Sequence, residues 1–162
     1  MSYGGDEAGL DFATARGRDY PSVRQFNVFL ENRLGALLDC VRRFEKSDIR
    51  IVALTVMDSA DCAIIRLVFS DPERAMEILE QANLPFTESD LLVVQLPDAD
   101  QPLVQISKAL LTAEINIHYA YPILVGPHGS PALALKVEDI ETAAQTLQRQ
   151  KFHLLSENDF NG

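Results

Sequence analysis

The sequence predicts an α+β fold built from two βαββαβ repeats, and three observations lead to it. A series of strand-like and helix-like periods runs through once and then runs through again. Matching residues keep a constant spacing: Ile49 and Ile117, Leu67 and Leu135, Asp71 and Asp139, Glu73 and Glu141, Ala75 and Ala143, and Leu79 and Leu147 each stand 68 positions apart. Residues 49–56 and 62–69 are apolar on both alternating faces, with Arg66 the exception in the second run, and a sheet with one wet face would alternate instead.

Residues 1–21 carry Gly4, Gly5, Gly9 and Gly17 among charges with no apolar period, and are expected to form a flexible tail. From Val23 onward Phe26, Val28 and Leu30 alternate with Gln25, Asn27 and Phe29, the two-residue period of a strand. That strand stops at Glu31-Asn32-Arg33. Leu34, Leu37, Leu38, Val41 and Phe44 then recur at helical spacing, with Arg42, Arg43 and Lys46 near the carboxyl end, where the helix dipole favours cations. Strands at 49–56 and 63–69 flank Asp58-Ser59-Ala60-Asp61, whose short polar side chains suit a hairpin. Ser70-Asp71-Pro72-Glu73 has the spacing of a capping box with proline in the first turn, and Ala75, Met76, Ile78, Leu79 and Ala82 continue as a second helix.

The second copy follows the same order. A strand at 91–96 leads to a helix through Leu103, Ile106, Leu110 and Ala113, then to strands at 117–125 and 132–137 and a helix at 140–150. The endings match after a one-residue slip, Phe86-Thr-Glu-Ser-Asp-Leu91 against Leu155-Ser-Glu-Asn-Asp-Phe160. Each copy therefore reads as a four-stranded antiparallel sheet with two helices on one face, the first domain spanning 22–90 and the second 91–162. The faces without helices are expected to pack together, within the chain or between chains.

Composition narrows the function. Apolar content of 47% in 162 residues suffices for a buried core. No apolar run approaches the roughly 18 residues of a membrane span, and no apolar stretch marks a secretory signal, so a cytoplasmic protein without membrane contact is expected. A net charge of −10 with scattered basic residues argues against nucleic acid, which needs a basic stripe to neutralise phosphates. Cys40 and Cys62 lack CxxC spacing, and His118, His128 and His153 share no ligand spacing, so neither metal nor cofactor is expected.

One loop stands out. In Glu31-Asn32-Arg33-Leu34-Gly35-Ala36, the glycine at a helix start lets a ligand approach unpaired amides, where the dipole favours an anion, and Asn32 and Arg33 can add side-chain bonds. The alternative is that Asn32 is only an N-cap and Gly35 only relieves crowding. Asp58, Asp61, Asp98 and Asp100 are candidate partners for an ammonium group, or solvated turn formers. Tyr119 and Tyr121 on one strand either line a pocket between packed sheets or serve as packing.

The run Val28-Phe-Leu-Glu-Asn-Arg-Leu-Gly-Ala-Leu37, followed by Asp48-Ile-Arg-Ile51, Asp58-Ser-Ala-Asp61 and Ile65-Arg-Leu-Val-Phe-Ser-Asp-Pro-Glu-Arg-Ala75, resembles the ACT domain. Leu96-Pro-Asp98, Glu114-Ile-Asn-Ile-His-Tyr-Ala-Tyr121 and Val137-Glu-Asp-Ile-Glu-Thr-Ala143 look like a second unit of a tandem ACT protein. The resemblance covers residues 23–160. It implies ferredoxin-like repeats and a regulatory module that binds a small molecule, commonly an amino acid; separately, the chain is expected to form a homodimer. The family's loop commonly reads Asn-x-Pro-Gly; here Leu34 takes the proline place in the first copy, and Pro102 is followed by Leu103 rather than glycine in the second. The resemblance thus assigns ligand contacts to Asn32, Arg33, Leu34, Gly35 and Ala36, and more weakly to Asp100 and Gln101.

Two other functions compete. A protein-interaction or dimerisation module without a small ligand would use the apolar faces alone. A small phosphatase-like enzyme would hold phosphate with Asn32 and Arg33, although no nucleophile motif or phosphate loop is present, and the expectation is a protein that is not an enzyme.

Overall fold

A computed structural model of the chain describes residues 20–31 and 33–161; residues 1–19, most of the expected tail, lie outside them. Seven strands and four α-helices are formed among the described residues: β1 (Val23–Glu31), α1 (Ala36–Arg42), β2 (Ile51–Asp58), β3 (Cys62–Phe69), α2 (Pro72–Gln81), β4 (Phe86–Gln95), α3 (Pro102–Thr112), β5 (Ile117–Pro122), β6 (Ala132–Val137), α4 (Ile140–Arg149) and β7 (Leu154–Leu155). All pairings are antiparallel, in the order β2-β3-β1-β4-β6-β5, with β7 also on β4. The expected repeat boundary at 90/91 falls inside β4. Its first half pairs with β1, Val28 facing Phe86 and Val23 facing Leu91, and its second half lies between β6 and β7. One ten-residue strand thus closes the first repeat and opens the second.

The helices start where the local chemistry allows. Asp71 and Asp139 are N-caps, each accepting a hydrogen bond from the N–H three residues on, Arg74 at 3.2 Å and Thr142 at 3.1 Å. The capping box expected from Ser70 and Glu73 does not form. Ser70 Oγ instead accepts from the Arg50 N–H at 2.9 Å, and Glu73 turns toward Arg24. Such a box forms at the chain's end, where Ser156 and Asp159 cap a short 3-10 turn (Glu157–Phe160). That turn replaces most of the strand implied by the match between residues 86–91 and 155–160.

Three cores result. Phe26, Val28, Ile65 and Leu67 face α1 and α2 through Cys40, Ala75 and Leu79, with Phe26 set edge-on to Phe69 and Phe86, both at 5.6 Å. Leu92, Val94 and Leu135 face α3 and α4 through Ile106, Leu110 and Leu147, and Tyr20 packs there as well. The third core lies between the opposite faces of the two sheets. Val23, Val52, Ala53 and Val68 of the first repeat meet Tyr121, Ile123, Ala132 and Ala134 of the second, with Phe160 closing one end. This is the cover that the two-sided apolar strands demanded. Burying each Val, Leu, Ile or Phe there stabilises the fold by about 1.5–3 kcal/mol. The Leu124 N–H donates to Val52 O at 2.7 Å, joining the repeats by backbone as well.

A buried ion group crosses the same junction. Arg24 on β1 is almost wholly enclosed, and its guanidinium bonds Glu73 Oε1 at 2.8 Å and Glu157 Oε2 at 3.2 Å, with Glu88 at 3.7 Å. Glu157 is equally buried and also accepts from the Arg24 N–H at 3.2 Å, whereas Glu73 is largely exposed. Removal of Glu157 leaves a buried cation short of its enclosed partner. Glu157→Ala is therefore expected to cost about 2–3 kcal/mol in urea unfolding, against less than about 1 kcal/mol for Glu73→Ala.

Candidate ligand-binding site

Gly35 is the N-cap of α1 and has φ +86°, the left-handed region in which a side chain is strained. A Cβ built there meets no atom within 4 Å, so the approach to the loop is open. Among the described residues no side chain caps α1, and the Asp39 N–H closes its first turn on Gly35 O at 2.9 Å. Arg33 is held by its own neighbours, 3.0 Å from Asp39 Oδ2 and 3.6 Å from Glu31 Oε2, in exposed pairs that are weak and easily exchanged. Leu34 is fully exposed and Ala36 buried. Asn32 lies outside the described residues.

A cleft of about 340 Å³ opens beside this loop. Its charged wall is Glu31, Arg33, Asp39 and Arg43; Phe29, Ala36 and Leu84 supply apolar surface. The opposite lip is the α2–β4 turn, where Asn83 adopts a left-handed φ of 55°. Sequence reasoning passed over this turn and over Arg43. The one available signal was the 68-residue spacing, which pairs Asn83 with Lys151, also left-handed at φ 67° after α4.

The second repeat carries a counterpart cleft of about 530 Å³, lined by Leu96, Asp98, Pro102, Lys151, Phe152 and His153. Asp100 and Gln101 stand beside it without lining it. Strand ladders refine the correspondence between the loops. The cross-strand pair Asn27–Arg66 occupies the place of Val93–Ala134, a spacing of 66 rather than 68 on the first strand of each repeat. Burial agrees, since Cys40 matches Ile106 and Phe44 matches Leu110. Gly35 therefore corresponds to Gln101, the N-cap of α3, and not to Leu103, which corresponds to Leu37 on the outer helix face.

Asp58 and Asp61 sit at the exposed β2–β3 turn near the same sheet end, outside the cleft. Tyr121 is buried between the sheets and Tyr119 half-buried beside it. Among the described residues no three His, Cys, Asp or Glu gather as a metal site, and no helix is long and apolar enough to cross a membrane.

The family model for the ACT domain pair matches residues 21–162. The chain belongs to the ACT domain pair family. Membership carries a regulatory, ligand-binding role, and the fold agrees with solved structures. A Bacteroides thetaiotaomicron protein is similar at 23% identity, with 86% of this chain and 95% of that one covered and a TM-score of 0.77. The ligand-free regulatory subunit of aspartate kinase from Thermus thermophilus is similar at 10% identity, with 80% and 91% covered and a TM-score of 0.53. The corresponding subunit from Thermus flavus shows 11% identity, 80% and 92% coverage and a TM-score of 0.50. Comparison with curated proteins finds no match.

Cys40 lies in the floor of the first ACT cleft, and burial pushes its thiol up from 9.0 to about 11, with Arg43 pulling it partly back. The folded chain favours the neutral thiol, so the unfolded chain loses its proton first as pH rises. Stability is accordingly expected to fall between pH 9 and about 11, by on the order of 2 kcal/mol from this group. Urea midpoints measured across that range check it, and Cys40→Ala should flatten the slope.

Proposed function

We propose that this ACT pair is a non-catalytic regulatory protein that senses an amino acid through the first-repeat loop, with Asn32, Arg33, Leu34, Gly35 and Ala36 at the site. The observation that carries this reading is the cleft beside Gly35, which offers both charges and apolar walls in one place. An amino acid's carboxylate exchanges with Asp39 for Arg33 and approaches the first-turn amides of α1 over the bare Gly35 Cα. Asp39 and Glu31, released in turn, take the ammonium group. These two carboxylates replace Asp58, Asp61, Asp98 and Asp100 as its partners, because they are the ones that line the first cleft. Phe29 and Leu84 receive the side chain. Asp100 and Gln101 mark a weaker second site: its N-cap residue carries a side chain where the first has none, and among the described residues no arginine lines its cleft.

The chain acts as a homodimer in this reading. Leu37 and Leu38 on α1 and their counterparts Leu103 and Val104 on α3 are exposed at matching places of the two repeats, and Leu111 extends the second patch. A homodimer of 18.0 kDa chains is expected in sedimentation equilibrium, with Leu103→Glu shifting it to monomer.

An amino-acid panel read by thermal unfolding tests the sensing role. A ligand at 100 times its dissociation constant adds about 2.7 kcal/mol and raises the midpoint by roughly 5–10 °C. Arg33→Ala and Gly35→Val are each expected to abolish that shift. A panel without any shift would leave the interaction-module reading in possession.

A further inference from the structure

On the sheet face opposite α1 and α2, beyond the edge of the inter-sheet core, lies a polar strip that neither cleft includes. Gln25, fully buried on β1, is its centre. The Tyr121 hydroxyl donates to Gln25 Oε1 at 2.6 Å. Burial, reinforced by Tyr119, holds the Tyr121 phenol well above the usual tyrosine range, so it keeps its proton and stays a donor. The Gln25 amide is thereby oriented, and its Nε2 donates to Asn27 Oδ1 at 2.7 Å and to Tyr119 Oη at 2.8 Å. Asn27 is oriented in turn, its Nδ2 donating to Thr87 Oγ1 at 3.2 Å and Ser89 Oγ at 3.0 Å.

The relay has a chemical consequence. Tyr119, Thr87 and Ser89 each accept a hydrogen bond from within, so each turns its own hydroxyl hydrogen away from the relay as a donor. Beside them the Arg66 guanidinium lies over the Tyr119 ring, 3.8 Å from its centroid, and among the described residues no carboxylate stands within 4 Å of it. Among the described residues its one hydrogen-bond contact is Met57 Sδ at 3.9 Å. Lys136, directly across from Tyr119 on β6, adds a second cation to the same face. The strip is thus a run of donors ending in a guanidinium, in a chain of net charge −10.

The fold does not require this polarity. The corresponding cross-strand pair in the second repeat is Val93–Ala134, both wholly buried, where the first has Asn27–Arg66. We propose that the strip formed by Arg66, Tyr119, Asn27, Thr87 and Ser89 is a second binding site, for the carboxylate of a small organic anion, independent of the Gly35 cleft. A planar carboxylate takes the Arg66 fork and the Tyr119 hydroxyl beside it, while Thr87 and Ser89, on the far side of Asn27, offer donors to the rest of the anion.

Titration of the full chain with succinate, acetate and inorganic phosphate tests this, followed by the side-chain amide NMR signals of Gln25 and Asn27 and by thermal unfolding. Succinate or acetate is expected to move both amide signals. Arg66→Met, which keeps the stem over the ring, should weaken binding by about tenfold or more, and Tyr119→Phe by several-fold. Gly35→Val should leave it unchanged. The proposal is overturned by silent amide signals at tens of millimolar, by an unweakened response in Arg66→Met, by loss of the response in Gly35→Val, or by a response to phosphate alone. Amino-acid binding that is lost in Arg33→Ala and intact in Arg66→Met keeps the two sites distinguishable.

Discussion

The helix-free faces of the two sheets must be buried, and among the described residues each repeat buries them against the other. Val52, Ala53 and Val68 on one side and Ile123, Ala132 and Ala134 on the other lose their water only when the repeats meet. The shared strand β4 enforces that meeting. Because Phe86–Gln95 runs uninterrupted from one sheet into the other, neither repeat closes its ladder independently. Both features place the helices on the outside, and with them the two loops that precede α1 and α3.

The junction also shows how a duplicated unit diverges. Residues 86–90 of β4 and the matching residues 155–159 begin alike, yet the first group pairs with β1 and the second leaves the sheet after Leu155. The Ser156–Asp159 cap bends the chain into a 3-10 turn that carries Glu157 inward to the buried Arg24. Glu88, its counterpart in the first repeat, approaches the same guanidinium from its outer side. The two carboxylates share one cation across the repeat boundary, a cross-link that a plain strand would not have made.

The candidate site was legible only in part. Gly35 was readable because a glycine at a helix start after a strand has few structural reasons to be there; its left-handed φ gives it one, and it stands uncrowded between Arg33 and Ala36, which line the cleft. The far lip was not, since Asn83, Leu84 and Pro85 carry no local pattern that points at a loop some fifty residues earlier. The two-residue difference between the repeats, which falls between the first helix and the second strand of each, was hidden for the same reason. A constant spacing of 68 holds from the second strand of each repeat through its second helix, and only the ladders Asn27–Arg66 and Val93–Ala134 show that it is 66 on the first strand.

Local periodicity in the sequence was enough to determine the elements, the duplication and the need for a covered second face, because alternation and helical spacing are written in adjacent residues. Tertiary structure alone decided that β4 is one strand, that Glu157 reaches Arg24, and that Gln25, Tyr119 and Arg66 line one strip. Those outcomes depend on ladder register and on distances between residues some 40 to more than 130 positions apart, which no run of neighbouring side chains encodes.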